Sequence, residues 1–313
     1  MKVCYLIQTH REPAQIERLV RRIKSLSPNA QVLVSHDFTN CELKRSTFAD
    51  LSDVAIIASR GGRGNFSIVQ SYLDAIKWLL DSGSDFSWLL NLSGQDYPIQ
   101  PLSQVEQSLF QSDYDGFVHH FEVFSKQSPW KRNEGYTRYH YRYRVLVNSL
   151  PEWQKELLKP AKILNYIQPF FRVNFSYGIT LGLKISPPFT QDFVCYGGSF
   201  LCTLSRNCVE YLQKFVESNP DIIDYYKGVA IPDECFIQTI LVNSNLFKLS
   251  NDCKRYFDFS QTRNGHPRIL SSNDFPALIE SQAHFARKFD PMVDSNILDL
   301  IDKTSLEKST LSA

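Results

Sequence analysis

Ser87-Trp88-Leu89-Leu90-Asn91-Leu92-Ser93-Gly94-Gln95-Asp96-Tyr97-Pro98-Ile99 is the stretch on which the fold turns. Its first half is an apolar run too short for a helix and bounded by polar turns, the pattern of a strand buried on both faces. The strand runs straight into a Gly turn that carries Asp96, and the following Tyr97-Pro98 pair fixes the chain direction. Polar groups held rigidly at the end of a core strand are what a ligand site requires. Working outward, Val3 to Thr9 reads as a first strand, Gln31 to Ser35 as a second and Val54 to Ala58 as a third. Ile16, Leu19, Val20, Ile23 and Leu26 recur at helical spacing after Glu12-Pro13, and another helix is predicted from about Phe66 to Leu80. Apolar strands alternating with amphipathic helices imply a parallel sheet covered on both faces. Such a sheet binds nucleotides beyond the carboxyl ends of its strands, here after strands one, three and four.

The chain has 313 residues, 43% hydrophobic and 21% charged, with a formal net charge of +1. These values describe a globular protein with one large α/β domain or two small ones, and no global field to attract nucleic acid. No apolar run is long enough to cross a bilayer, and the first ten residues read as a strand rather than a signal peptide. Seven cysteines without a Cys-x-x-Cys pair fit a reduced, cytoplasmic protein, with peripheral attachment to a membrane left open. Without a repeat or low-complexity linker, one domain over 1–313 is expected. Within it, 1–115 form the nucleotide half, 116–290 the acceptor and catalytic half, and 291–313 a C-terminal helix and tail.

Several stretches in the second half bear on chemistry. Gly116 to Phe121 is strand-like, and 151–172 look helical with breaks at Pro160 and Pro169. A Gly-Gly-Ser turn at 197–199, a helix at about 206–218, a strand near 255–259 and helices near 274–289 and 295–308 complete the reading. His119 and His120 are adjacent on a strand, point to opposite faces and cannot share a metal. Gly61-Gly62-Arg63-Gly64 lacks the Lys-Ser/Thr of a phosphate loop and the spacing of a dinucleotide fingerprint, and reads better as a plain flexible turn. Asp113-Tyr114-Asp115 looks like the Asp-x-Asp metal clamp of sugar-nucleotide transferases, but it precedes its strand, where Asp marks a turn. No other group has ligand spacing, and no metal site is expected. From Trp130 to Arg144, aromatics interleave with cations. Such a stretch suits single-stranded nucleic acid or a sugar acceptor, and the neutral net charge favours the sugar.

Ile231-Pro232-Asp233-Glu234-Cys235-Phe236-Ile237-Gln238-Thr239 sets two carboxylates just inside the predicted start of an apolar helix. Pro is pre-set for a first helical turn, and acids there face the positive end of the helix dipole. A carboxylate held at the edge of a core suits a general base; a well-capped surface helix explains the same residues.

With these motifs in hand, the chain resembles the family of core-2/I-branching β-1,6-N-acetylglucosaminyltransferases and peptide O-xylosyltransferases, the family 14 glycosyltransferases. The likeness runs from about Val3 to Asp290. It rests, in order, on the first strand ending in His10, Arg63-Gly64-Asn65-Phe66-Ser67-Ile68-Val69, Leu92 to Ile99, Gly197-Gly198-Ser199-Phe200 into Leu204-Ser205-Arg206, Pro232-Asp233-Glu234, and Phe285 to Asp290. Phe200 and Cys202 stand where the family often carries Trp. The resemblance implies a GT-A-like α/β fold with a Rossmann-like N-terminal half and a mixed central sheet. It further implies a UDP-sugar donor carrying GlcNAc or xylose, a glycan or protein acceptor, inversion at the anomeric carbon and catalysis without a divalent metal. Glu234 is then the general base, and Arg268 and Lys288 hold the diphosphate. His10, Asn65, Ser93 and Asp96 surround the donor, while Lys131, Arg132, Arg138, Ser199, Asp233 and Phe259 fall to the acceptor side. Two rivals remain: a carbohydrate-binding protein without catalysis, and a glycoside hydrolase using Asp233 and Glu234. Adjacent helical side chains project about 100° apart, so those two cannot flank one glycosidic bond at the separation hydrolysis needs.

Overall fold

A computed structural model describes residues 2–62, 64–131, 133–147, 151–174, 179–260 and 266–310. The chain opens with β1 (Val3–Thr9), α1 (Pro13–Leu26), β2 (Gln31–Asp37), β3 (Val54–Ser59), α2 (Ser67–Asp81) and β4 (Trp88–Ser93). The four strands are parallel, in the spatial order β3-β2-β1-β4. Alternate residues of each strand serve opposite faces. Tyr5, Ile7, Val32 and Val34 pack with Ile16, Leu19, Val20 and Ile23 of α1. Cys4, Leu6 and Leu33 pack with Val69, Tyr72, Leu73, Ile76 and Leu79 of α2. This two-sided burial is why the strands read as continuous apolar runs.

The chain continues through β5 (Tyr97–Pro98), α3 (Leu102–Phe110), β6 (Gly116–Phe117), β7 (His120–Glu122), α4 (Glu134–Tyr139) and β8 (Tyr141–Val147). Next come α5 (Glu152–Leu158), α6 (Leu164–Ile167), β9 (Phe171–Asn174), β10 (Ile179–Lys184), β11 (Tyr196–Gly198) and β12 (Thr203–Ser205). The helices α7 (Arg206–Ser218), α8 (Pro220–Gly228) and α9 (Phe236–Ser244) precede β13 (Leu249–Ser250) and β14 (Arg255–Tyr256). The last elements are α10 (Phe275–Glu280), β15 (Phe285–Ala286) and α11 (Asn296–Thr310). β12 pairs antiparallel to β4, β6 antiparallel to β12, and β13 parallel to β6. The second half of the chain therefore extends the sheet of the first, giving seven strands of mixed direction. A Rossmann-like half continued by a mixed sheet is the GT-A-like α/β arrangement that the resemblance implies. Smaller sheets, β8-β10-β9, β11-β7 and β14-β15-β5, lie outside it.

Four expectations change. The helix near 274–289 ends at Glu280, because Phe285 and Ala286 pair with both Arg255–Tyr256 and Tyr97–Pro98. The helical reading of 151–172 gives way at Phe171, where β9 pairs with β10. Pro232–Glu234 form a separate 3₁₀ turn, and Cys235 at φ −143° parts it from α9. Gly197 and Gly198 belong to β11, not to a turn.

Gly198 is set by close approach rather than by an unusual dihedral. A Cβ built there would lie 1.9 Å from the carbonyl oxygen of His119. A methyl group cannot be fitted without moving backbone. Gly198→Ala should destabilise the fold by about 1–3 kcal/mol. Urea denaturation checks this, and an unchanged midpoint would mean that β11 is not held against the 118–120 segment.

Candidate functional site

Parallel strands deliver their last residues to one edge of the sheet, and here four loops converge. After β1 comes His10, whose charge acts on Asp37 at the end of β2. Asp37 is buried, which pushes its pKa up, yet hydrogen bonds from the Thr39 side chain and main chain and from the Gly61 N–H outweigh burial and hold it below the usual carboxylate range. After β3, Asn65 turns its Oδ1 back onto the N–H and hydroxyl of Ser67, fixing the entry to α2. After β4, the Gly94 N–H donates to the Gln8 carbonyl, which draws the first and fourth loops together. Gly94 is tightly flanked: a Cβ there would lie 3.1 Å from the Thr9 side chain and 3.4 Å from that of Ile16.

Asp96 departs from the expectation of direct donor contact. It is 0% exposed; Oδ2 accepts from the Ser93 N–H, and Oδ1 faces Arg287 Nε at 3.4 Å. A buried carboxylate needs such partners, so Asp96 shapes the Ser93 loop from beneath. The basic segment is held against the same loop, with the Phe289 N–H donating to the Gln95 carbonyl at 3.0 Å. Lys288 thereby lies beside the end of β4, and its carbonyl accepts from the Leu270 N–H at 2.8 Å. Arg268 stands two residues before Leu270. Its guanidinium is held by Asp258 (2.6 Å) and, in two-pronged fashion, by Asp274. Ser260 and then Arg268 bring Asp258 down to about 2. Phe259 follows Asp258, with its ring 6.1 Å from that of Phe257. Ser199 reaches the site through its carbonyl, which accepts from Gln238 of α9 at 2.6 Å.

Glu234 enters from the other half of the chain. Its turn is fixed through Ile231, whose N–H donates to the Gly64 carbonyl at 3.0 Å and whose carbonyl accepts from the Tyr139 hydroxyl at 3.1 Å. The 3₁₀ turn that bears the carboxylate is thus bonded to the loop after β3. Arg138 of α4 donates to Glu234 Oε2 at 2.5 Å and also binds Glu134, and its guanidinium stacks over Trp130 at 4.2 Å. Burial alone would lower the pKa of Arg138, but Glu234, Tyr139 and Glu134 more than reverse that. Arg138 was expected on the acceptor side; the structure makes it the partner of Glu234 as well. Lys131 is exposed at the start of α4, where its N–H meets Glu134. Arg132 lies outside the described residues.

Asp113 and Asp115 are elsewhere. β6 runs in the direction of β4, and Gly116 pairs through Leu204 to the level of Leu89, so both acids sit at the amino ends of the strands. Asp115 accepts from the Lys248 N–H and serves as a turn anchor. Among the described residues, no three His, Cys, Asp or Glu side chains gather as a metal-binding group. A cleft of about 630 Å³ runs along the outer edge of β3, lined by Arg45, Phe48 and Trp78 among others, but it lacks the carboxylates and bases of the strand-end site.

Comparison with known proteins identifies the family. The profile described as Branch, core-2/I-branching enzyme, matches residues 3–279. The chain belongs to the core-2/I-branching enzyme family. Within reach of this family are beta-glucuronosyltransferase GlcAT14B of Arabidopsis thaliana, 24% identical over 249 residues, and GlcAT14A of the same plant, 23% identical over 244. These alignments cover 78% and 76% of this chain but 49% and 48% of the relatives. The chain therefore spans about half the length of the curated relatives it matches. Solved structures include mouse xyloside xylosyltransferase 1, 10% identical with a TM-score of 0.39 over 91% of this chain and 97% of that one. Another is the galactosyltransferase LgtC in complex with donor and acceptor sugar analogs, 9% identical with a TM-score of 0.37 over 93% and 88%.

Asp233 offers a direct test of the site's electrostatics. Burial first, and the neighbouring Glu234 second, raise its pKa to about 7, and Oδ1 is buried without a hydrogen-bond partner among the described residues. The folded pKa exceeds the unfolded value of about 3.9, so this group's contribution is fully present below pH ~4 and is lost as pH rises through 7. Asp233→Asn removes the titration. At pH 8 the variant should exceed the wild type in stability by on the order of 3 kcal/mol, and at pH 4 the two should be about equal. Urea denaturation at both pH values decides, and a gain of equal size at both would refute the raised pKa.

Proposed function

We propose that this protein is an inverting glycosyltransferase that moves a sugar from a UDP-sugar to a hydroxyl of a glycan or protein acceptor. The observation that carries this reading is the bond between Ile231 and Gly64, which sets a carboxylate turn against the strand ends where a nucleotide-sugar would lie. In this reading Glu234 is the general base. Arg138 binds Oε2 and orients the carboxylate, leaving Oε1 to accept the proton of the acceptor hydroxyl as that oxygen attacks the sugar's anomeric carbon. The C–O bond to UDP breaks as the new bond forms on the opposite face. Lys288 and Arg268 meet the charge that develops on the diphosphate. To do so Arg268 must share its guanidinium with Asp258 and Asp274.

Asp113 and Asp115, the pair that looks like a metal clamp, sit at the amino ends of the strands rather than at the carboxyl ends against which the Glu234 turn is bonded, and this placement supports a metal-independent reaction. The donor sugar is GlcNAc or xylose on the resemblance. The names of the plant relatives add glucuronic acid as a second reading. Release of UDP from UDP-GlcNAc, UDP-xylose and UDP-glucuronic acid, each with a panel of sugar acceptors, separates the three. A protein that binds sugars without catalysis would release none.

Three variants and one condition test the mechanism. Glu234→Gln should keep donor affinity and lose roughly 10²–10⁴-fold in kcat, the usual contribution of a positioned base; near-normal turnover would dismiss Glu234. Lys288→Ala should weaken UDP binding roughly 10- to 150-fold by calorimetric titration, since a charge-assisted contact to phosphate contributes about 1.5–3 kcal/mol. Arg268→Ala should weaken UDP over the same range and also lower thermal stability, because Asp258 and Asp274 lose their partner. Incubation with EDTA should leave transfer unchanged, and activity that EDTA abolishes and Mn²⁺ restores would overturn the metal-free mechanism.

A further inference from the structure

The segment from β8 to β10 is chemically unlike the rest of the chain. Residues 141–184 hold seven Lys or Arg against two Glu, although the whole chain carries only +1. The excess positive charge is thus concentrated in one lobe, built from the sheet β8-β10-β9 with α5 and α6 at its margin. That lobe also exposes large apolar groups. Trp153 and Leu157 are 66% and 73% exposed and lie four residues apart on α5, so they share one helix face. Phe170, just before β9, is 71% exposed, and Leu146 of β8, Ile163 and Leu183 of β10 are exposed as well. Single exposed apolar residues are ordinary; this many on one basic lobe point to a contact surface.

The lobe hangs on the body by specific ties rather than by this surface. Tyr143 donates to the Thr137 carbonyl, and Arg142 pairs with Asp224 of α8 at 2.9 Å. Its exposed apolar groups are therefore not needed to hold it in place. A partner for this surface must accept Trp, Leu and Phe while attracting Lys and Arg. An acidic protein face offers the charge but no fluid apolar layer for scattered large groups. A second copy of the chain would bring like charge against like.

We propose that the β8–β10 lobe docks the protein on an anionic bilayer surface. Trp153, Leu157 and Phe170 enter the boundary between headgroups and acyl chains, and cations of the same lobe such as Arg144 and Lys162 meet lipid phosphates. Attachment is to the surface, since among the described residues no helix is long and apolar enough to cross a membrane. The inference stands apart from the catalytic reading, because none of these residues belongs to the Glu234 site.

Flotation of the whole protein with vesicles tests it. Vesicles of equal parts phosphatidylcholine and phosphatidylglycerol should carry the protein upward, and phosphatidylcholine alone should not. Raising NaCl from about 0.1 M to about 1 M shortens the screening length from about 10 Å to about 3 Å and should release most of it. Trp153→Ser with Leu157→Ser should lower partitioning at least tenfold, as should Arg144→Glu with Lys162→Glu, with UDP binding by the soluble protein unchanged in both. Failure to float with the anionic vesicles, equal flotation with both lipids, or full retention by both double variants would overturn the proposal. So would light scattering that shows a wild-type dimer converted to monomer by the Trp153 pair with no vesicle binding at any stage; that result assigns the surface to a second copy.

Discussion

Two main-chain groups of Ile231 hold the site together. One bonds to Gly64 and the other to the hydroxyl of Tyr139, so the loop after β3, the turn of Glu234 and the end of α4 meet at a single residue. The geometry demands a left-handed backbone, φ 52° and ψ 53°, from a β-branched side chain. That conformation costs on the order of 1–3 kcal/mol and persists only where the surroundings over-determine it. Here they do. Pro232 restricts the next φ, and Phe236 and Ile237 beyond it are fully buried. The consequence is a carboxylate whose position is set by backbone on one side and by Arg138 on the other, with little freedom left for its side chain.

A second constraint lies beneath the strand ends. Asp96, Arg255 and Arg287 place one carboxylate and two guanidinium groups in a nearly dry environment. Arg255 spends its donors on the carbonyls of Cys253 and Asn91 and lies over Phe285 at 4.9 Å. His284 nearby is driven down to about 3 by burial and then by Arg255 and Lys254, so it adds no further positive charge. The cluster therefore sets two guanidinium groups against one carboxylate next to the loop of Ser93. In the proposed reaction, the diphosphate at the strand ends would lie above this pair of guanidinium groups.

Much of this was legible in the sequence wherever burial and period agreed. The first four strands, α1, α2 and α7 lie within a residue or two of where apolar spacing places them, because each is buried on a face that its own sequence marks. The short elements were not. Phe285–Ala286 and Phe171–Asn174 become strands only because distant segments pair with them, and no local preference reports a partner so far away. The same holds at the site. Glu234 announces itself through Pro232 and the apolar run behind it, whereas its contact with Arg138 spans 96 residues. Asp37 and Arg287 went unnoticed for that reason. His36-Asp37 at the end of a strand was the one available signal for the former. The exchange of Asp96 from ligand contact to buried support follows from Arg287, which a reading of the strand alone does not bring near.

The order of strands in the main sheet also shapes how the protein is made. β4 finds β1 on one edge early, but its other edge is covered by β12, which begins 110 residues after Ser93. At about 5–20 residues per second, a ribosome needs roughly 5–20 s to supply it. For that interval Leu89 and Leu90 sit on an unfinished sheet edge, open to pairing with any passing strand. The uncovered interval runs from the synthesis of β4 to that of β12. Truncations placed between the two would yield insoluble rather than partly active protein.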